Sequence, residues 1–230
     1  MFIGHLGMAL AAKRAAPSVS LGVAVAAATW IDLVWPLFVL AGLERVEIAP
    51  GVTALTPLDF VHYPYTHSLA AVLGWSVAAG LVYAAFRREW RGALVVGALV
   101  TSHWVLDFLT HRPDLPLWPG GPLVGLGLWN LPAVEILLES ALFFGGVALY
   151  LTATRPLDRV GRWALVALVA FVAGIHAMNL AGPPPPSPEA VAGGALAAWL
   201  FVPWAAWIDL HRAPSARART QPAGPGLDGA

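Results

Sequence analysis

Six apolar segments, separated by short basic clusters, leave this chain few ways to fold. They cover residues 21–42, 68–86, 92–110, 132–152, 163–181 and 190–210. Each approaches or exceeds the roughly 20 residues an α-helix needs to cross a bilayer core of about 30 Å. Backbone N–H and C=O groups find no water there, so such segments must satisfy their hydrogen bonds internally, as helices. The clusters Lys13/Arg14, Arg87/Arg88/Arg91, Arg155/Arg159/Arg162 and Arg212/Arg217/Arg219 fall at alternate ends of successive segments. One threading therefore puts all four on the same side, which the positive-inside rule makes cytoplasmic. Residues 2–12 are apolar but too few to span. The expected fold is an all-α integral membrane protein of about six transmembrane helices plus a short N-terminal partial or re-entrant helix. It forms one polytopic domain over residues 1–212, followed by a disordered cytoplasmic tail over 213–230 that is rich in Pro, Gly, Ala and Arg.

Composition agrees, with 58% hydrophobic and 11% charged residues. The basic residues are spread over the clusters and the net charge is zero, so no face is built for nucleic acid. There is no cysteine, so thiolate ligation is excluded and a transition metal would need His, Asp, Glu or backbone oxygen. The pair Lys13/Arg14 follows the first apolar stretch instead of preceding it, which is not the order of a cleaved signal peptide.

Within this apolar background the stretch TSHWVLDFLTH, residues 101–111, is the most informative. His103 and Asp107 are spaced i, i+4, so on a helix they share a face and can converge on one ion. An ionisable side chain at membrane depth is costly and marks a functional site by default. With direction set by the basic clusters, Asp32 falls near mid-span and His103 and Asp107 in the outer half of theirs. His67 falls at the outer start of the next span. Glu135 and Glu139, again i, i+4, occupy the first turns of an inward-going helix, His176 the outer end of the one after, and His5 lies about two turns before Lys13. These polar groups share one leaflet, as expected of a site open to the extracytoplasmic side. In HYPYTHS, residues 62–68, His62 and His67 flank a Pro-restricted turn, and His67 can point back at the His103/Asp107 pair. The structural alternatives are a His–Asp hydrogen bond between helices for His103/Asp107 and an acid at a helix start for Glu135. For Asp32 the alternative is a supporting acceptor that orients a histidine. The tryptophans near span ends read as interfacial belts.

HYPYTHS resembles the signature H-R-G-x-T-H-S, and SHWVLDFLTH followed by LPLWP resembles S-H-x-x-x-D-x-x-T…P-L-x-W-P, of the YdjM-like family of LexA-binding, inner-membrane-associated hydrolases. His5 in GHLGMAL and Asp32 in TWIDLVWP complete the pattern in order, and the resemblance covers residues 1–118. Two departures stand out: Asp32 is alone where the family has P-D-x-D, and Tyr63-Pro64 replaces Arg-Gly. The resemblance implies a membrane-bound, metal-dependent hydrolase. On this reading one or two divalent ions are held by His67, His103 and Asp107 with Asp32, His5 and His62 nearby. Zn²⁺ best matches imidazole-plus-carboxylate ligation, with Mn²⁺ as the second choice. Glu139 or Glu135 would supply the catalytic base. A site at headgroup depth in the cytoplasmic (inner) membrane makes a lipid or lipid-linked ester the expected substrate and the lipid bilayer the expected partner. The alternative from a different class is a transporter or permease using the same cluster as a binding site.

Overall fold

The computed structural model describes residues 1–215, which form helices joined by three short antiparallel ribbons. In chain order they are α1 (Ile3–Ala15), α2 (Leu21–Ala28), α3 (Trp30–Leu40), β1 (Arg45–Ile48), β2 (Leu58–His62), α4 (Pro64–His67), α5 (Leu69–Arg87) and α6 (Trp90–Thr110). There follow β3 (Leu115–Pro116), β4 (Leu123–Val124), α7 (Pro132–Ala153), β5 (Thr154–Pro156), α8 (Arg159–Ala181), α9 (Pro188–Ala195), α10 (Phe201–Leu210) and β6 (Arg212–Pro214). The long helices begin where side chains can cap them. Ser68, Glu89, Asp158 and Ser187 accept from the backbone N–H three residues on, and Pro132 and Pro188 sit in the first turn, where a missing N–H costs nothing.

Five stretches are long and apolar enough to cross a membrane: α5, α6, α7, α8 and the composite Pro188–Leu210, in which a 3₁₀ stretch joins α9 to α10. The expected single span over 21–42 is instead two helices bent by 53°. At the break, the Thr29 hydroxyl donates back to the Val25 carbonyl (2.8 Å), a bond that competes with the helical ladder. Within α3 itself, Pro36 has no N–H for the carbonyl of Asp32 four residues earlier. If the bent pair counts as one crossing, the described residues hold six, which fits an all-α multi-pass membrane protein.

The basic clusters gather at one end. Lys13 Nζ donates to Asp209 Oδ2 (2.8 Å), Ser18 Oγ to Glu89 Oε2 (2.9 Å), and β5 pairs with β6, setting Pro156 opposite Arg212. Arg217, Arg219 and most of the expected tail lie outside the described residues. At the far end, the β1–β2 and β3–β4 ribbons lie over a small core of Trp35, Val46, Tyr63 and Leu115.

Helix α1 is a partial span: its 13 residues extend about 20 Å, short of a bilayer core. It runs against α7 with backbones nearly touching. A Cβ on Gly7 would come within 2.6 Å of the Leu142 carbonyl carbon and 2.8 Å of Phe143 Cα, and one on Gly146 would strike the Gly7 carbonyl. Small residues at such a crossing allow the close packing on which helix association in lipid depends. Helices α5 and α6 add interhelical hydrogen bonds, from Ser76 Oγ to the Gly97 carbonyl (2.7 Å) and from Thr101 Oγ1 to Ser76 Oγ (3.0 Å).

Candidate metal centre

The helix break at Thr29 places the first part of the site. His103 Nδ1 is 2.9 Å from the Ala28 carbonyl, the last residue of α2. A carbonyl only accepts, so Nδ1 carries a proton, and in the neutral ring Nε2 carries the lone pair. That lone pair is fully buried and lies 3.1 Å from Asp107 Oδ2, one helical turn along α6, and 3.5 Å from Asp32 Oδ1 on α3. Neither carboxylate oxygen lies where a proton on Nε2 could hydrogen-bond to it, and the atom has no hydrogen-bond partner.

His67, the last residue of α4, brings Nε2 to 3.6 Å from Asp32 Oδ1 and 3.9 Å from Asp107 Oδ2. Four ligand atoms from α3, α4 and α6 thus converge, with four of their separations between 3.1 and 3.9 Å. A tetrahedral ion with bonds of 2.0–2.1 Å has ligand–ligand edges of about 3.3–3.4 Å, so the spacing is that of an ion's shell. Asp32, His67 and His103 form one ligand set, and His5, His103 and Asp107 a second that shares His103. His5 stacks flat on His103, with ring centroids 3.7 Å apart, and its Nε2 is 3.2 Å from Asp107 Oδ1, which steadies the carboxylate whose other oxygen faces His67 and His103. His103, His67, His5 and Asp107 are buried, whereas the Asp32 side chain is 37% exposed, so the cluster is open on the Asp32 side.

Of the sequence-predicted residues, His5, Asp32, His67, His103 and Asp107 come together; His62, Glu135 and Glu139 do not. His62 is exposed at the end of β2, opposite Arg45 and edge-on to Tyr65, because the strand register turns it away from the helices. Glu139 is used by the backbone. Its carboxylate accepts from Phe2 N (2.5 Å) and Ile3 N (3.1 Å), capping the buried N-terminus of α1, and lies 3.5 Å from His176 Nδ1. A carboxylate at a helix N-terminus answers the positive end of the dipole, which leaves Glu139 poorly placed to serve as a base. Glu135 is buried beside it with Oε2 unpartnered.

Two further groups bear on the site. Thr66 Oγ1 touches His67 Nδ1 (2.7 Å), and the buried Glu44 carboxylate holds Thr66 in turn. Glu44 lies in a loop, and no periodicity or motif points to it. His111, the C-cap residue that ends α6, is buried. Its ring lies against Trp129 with centroids 4.1 Å apart, and Nδ1 is 2.9 Å from Asp114 Oδ1. Tyr63 Oη also donates to Asp114 Oδ1 (2.9 Å), and Arg112 Nε to Oδ2 (3.1 Å). Burial pushes the His111 imidazole below its ordinary value, against the raising effect of Asp114. Burial alone would raise the Asp114 carboxyl, but its hydrogen bonds with His111, Tyr63 and Arg112 prevail and hold it below the usual carboxylate range.

Fold and cluster together define a helical protein of the multi-pass membrane type carrying a buried His/Asp group with metal-ligand spacing. No family model, curated protein or solved structure matches the chain.

Proposed function

We propose that this protein is a membrane-embedded metal-dependent hydrolase that holds a divalent ion, Zn²⁺ as first choice and Mn²⁺ as second, between Asp32 Oδ1, His67 Nε2, His103 Nε2 and Asp107 Oδ2. One observation carries the reading: the lone pair of His103 Nε2 faces two carboxylate oxygens in a buried space. Three electron-rich atoms repel one another there unless a proton or a cation sits among them, and two imidazoles with two carboxylates are a donor set suited to a divalent ion. When bound, such an ion lowers the pKa of its water to about 7 and polarises the oxygen of the bond to be cut. The chain's own residues hold and orient. His5 steadies Asp107, the Ala28 carbonyl fixes the tautomer of His103, and the exposed flank of Asp32 is the side from which water and substrate enter. The two signature-like motifs in residues 62–68 and 101–118 support the same reading. The substrate is a lipid or lipid-linked ester, phosphoesters included, reached from the extracytoplasmic leaflet of the inner membrane. That assignment follows from the cluster lying opposite the basic end.

A transporter would need polar groups continuing to the basic end. Between the cluster and Lys13 at the basic end, the buried positions of α1, α2 and α6 include the apolar Leu6, Ala9, Leu10, Ala24, Val25, Val96, Leu99 and Val100, which favours a one-sided site. Elemental analysis of detergent-purified protein tests the reading. Wild type is expected to carry near-stoichiometric zinc or manganese, and His103→Ala and Asp107→Asn to lose it while remaining monodisperse. A wild type that takes up neither metal even when supplied with it would refute the hydrolase.

A further inference from the structure

His67 can serve as a ligand through Nε2 only if its proton sits on Nδ1, and what enforces that lies outside the cluster. Glu44 is buried in the turn between α3 and β1. Its Oε1 accepts from the backbone N–H of Tyr65 (2.8 Å) and Thr66 (2.9 Å), within the short helix α4 that carries His67. Its Oε2 lies 2.7 Å from Thr66 Oγ1, which lies 2.7 Å from His67 Nδ1. A carboxylate offers only lone pairs, so the single hydroxyl hydrogen of Thr66 goes to Glu44. Thr66 Oγ1 is then left only its lone pairs for His67, and Nδ1 must be the donor. The polarity of the chain Glu44, Thr66, His67 is thereby set, and in the neutral ring Nε2 is presented to Asp32 and Asp107 as a lone pair. His103 reaches the same state by a different route, through the Ala28 carbonyl.

We infer that Glu44 is a positioning residue of the metal centre, fixing the tautomer of His67 through Thr66 and so making Nε2 a ligand. The inference rests on the metal reading above. It also explains a buried carboxylate on an otherwise ordinary turn: Glu44 holds α4 by its backbone and the histidine by its proton with the same two oxygens. Partners that orient a ligating histidine in this way are commonly worth about 10- to 100-fold in metal affinity.

The nearly isosteric Glu44→Gln tests it. The amide oxygen can keep the two backbone bonds, but the amide N–H then points at Thr66 Oγ1 and turns the hydroxyl hydrogen towards His67 Nδ1. The proton of His67 is driven onto Nε2, into the ligand position. Detergent-purified wild type, Glu44→Gln, Thr66→Val and Thr66→Ser are compared by Co²⁺ titration, followed in the visible d–d bands, and metal-free by histidine ¹⁵N NMR. Wild type and Thr66→Ser are expected to bind Co²⁺ with the same tetrahedral-type spectrum and to show His67 protonated at Nδ1. Glu44→Gln and Thr66→Val are expected to bind about 10- to 100-fold more weakly, and Glu44→Gln to show the proton moved to Nε2. A Glu44→Gln protein with wild-type Co²⁺ affinity and an unmoved proton would overturn the role of Glu44 and leave the metal centre standing. A wild type that binds no Co²⁺ would overturn both. If Glu44→Gln does not fold, the contrast between Thr66→Val and its conservative counterpart Thr66→Ser decides the question, since both shorten or replace the same side chain and only one keeps the hydroxyl.

Discussion

At the residue scale, the pair formed by His111 and Asp114 shows how the cap beside the site responds to pH. Burial holds the imidazole below its ordinary 6.5, and the hydrogen bonds around Asp114 outweigh its burial and hold the carboxyl below its ordinary 3.8. Both shifts have the same sign in linkage. Below pH 6.5 the unfolded state binds a proton at His111 more readily than the folded one, and below about pH 4 the same holds at Asp114, so stability is lost as pH falls through each range. The melting temperature is therefore expected to decline between pH 7 and pH 4. Asp114→Asn should lower it already at pH 7, by the equivalent of about 1–3 kcal/mol, since hydrogen bonds to a charged group are lost. Differential scanning across that pH range checks both, and a flat wild-type profile would contradict the burial of His111. Trp129, packed against that imidazole at an interplanar angle of 43°, offers an optical readout.

At the element scale, the position of α1 depends on two glycines and one carboxylate. Gly7 and Gly146 let α1 and α7 meet backbone to backbone, and Glu139 takes up the N–H groups of Phe2 and Ile3 at the buried helix start. Together they bring His5 against His103. Any larger residue at Gly146 must push the helices apart, and overpacking of this kind costs about 1–3 kcal/mol. Gly146→Leu is thus expected to lower the melting temperature and, by moving His5, to weaken metal uptake. Gly145→Leu, one position on, where a side chain would meet open space, should do neither. Equal effects of the two substitutions, read by thermal melting and metal analysis, would remove the close crossing from the account. Glu139→Gln keeps an acceptor for the helix start and should cost less stability than Glu139→Ala, whereas a proton-transferring base would lose its activity alike in both.

On the scale of the whole molecule, a single carboxylate closes the basic end. Asp209 receives Lys13 Nζ (2.8 Å), the Leu21 N–H (3.3 Å) and the Tyr150 hydroxyl (3.3 Å), so it ties α10 to α1, α2 and α7. Removing it leaves the buried Lys13 ammonium without its counter-charge, and breaking a buried pair from one side costs about 3–5 kcal/mol. Asp209→Ala should destabilise strongly, and Lys13→Met combined with Asp209→Leu should recover most of the loss, as a double-substitution cycle on thermal stability would record. Because the apolar layer of Leu6, Leu10, Leu99 and Val100 separates this end from the cluster, metal content of the folded Asp209→Ala protein should stay at the wild-type level.

Periodicity and length were enough to read most of the spans, because a bilayer admits few solutions for apolar segments of about 20 residues. The span limits over 68–86, 92–110, 132–152 and 190–210 fall within a few residues of α5, α6, α7 and Pro188–Leu210. The i, i+4 rule likewise put His103 and Asp107 on one face of α6. What the sequence could not determine was how separate elements meet. The bend at Thr29 freed a carbonyl for His103, a strand register turned His62 outward, and the start of α1 claimed Glu139 as its cap. Glu44, in the turn after α3 and unmarked by any pattern, became the acceptor that sets His67. Local pattern encodes each element's own face and length, whereas hydrogen-bond partners between elements depend on three-dimensional packing, and only the tertiary structure decided those.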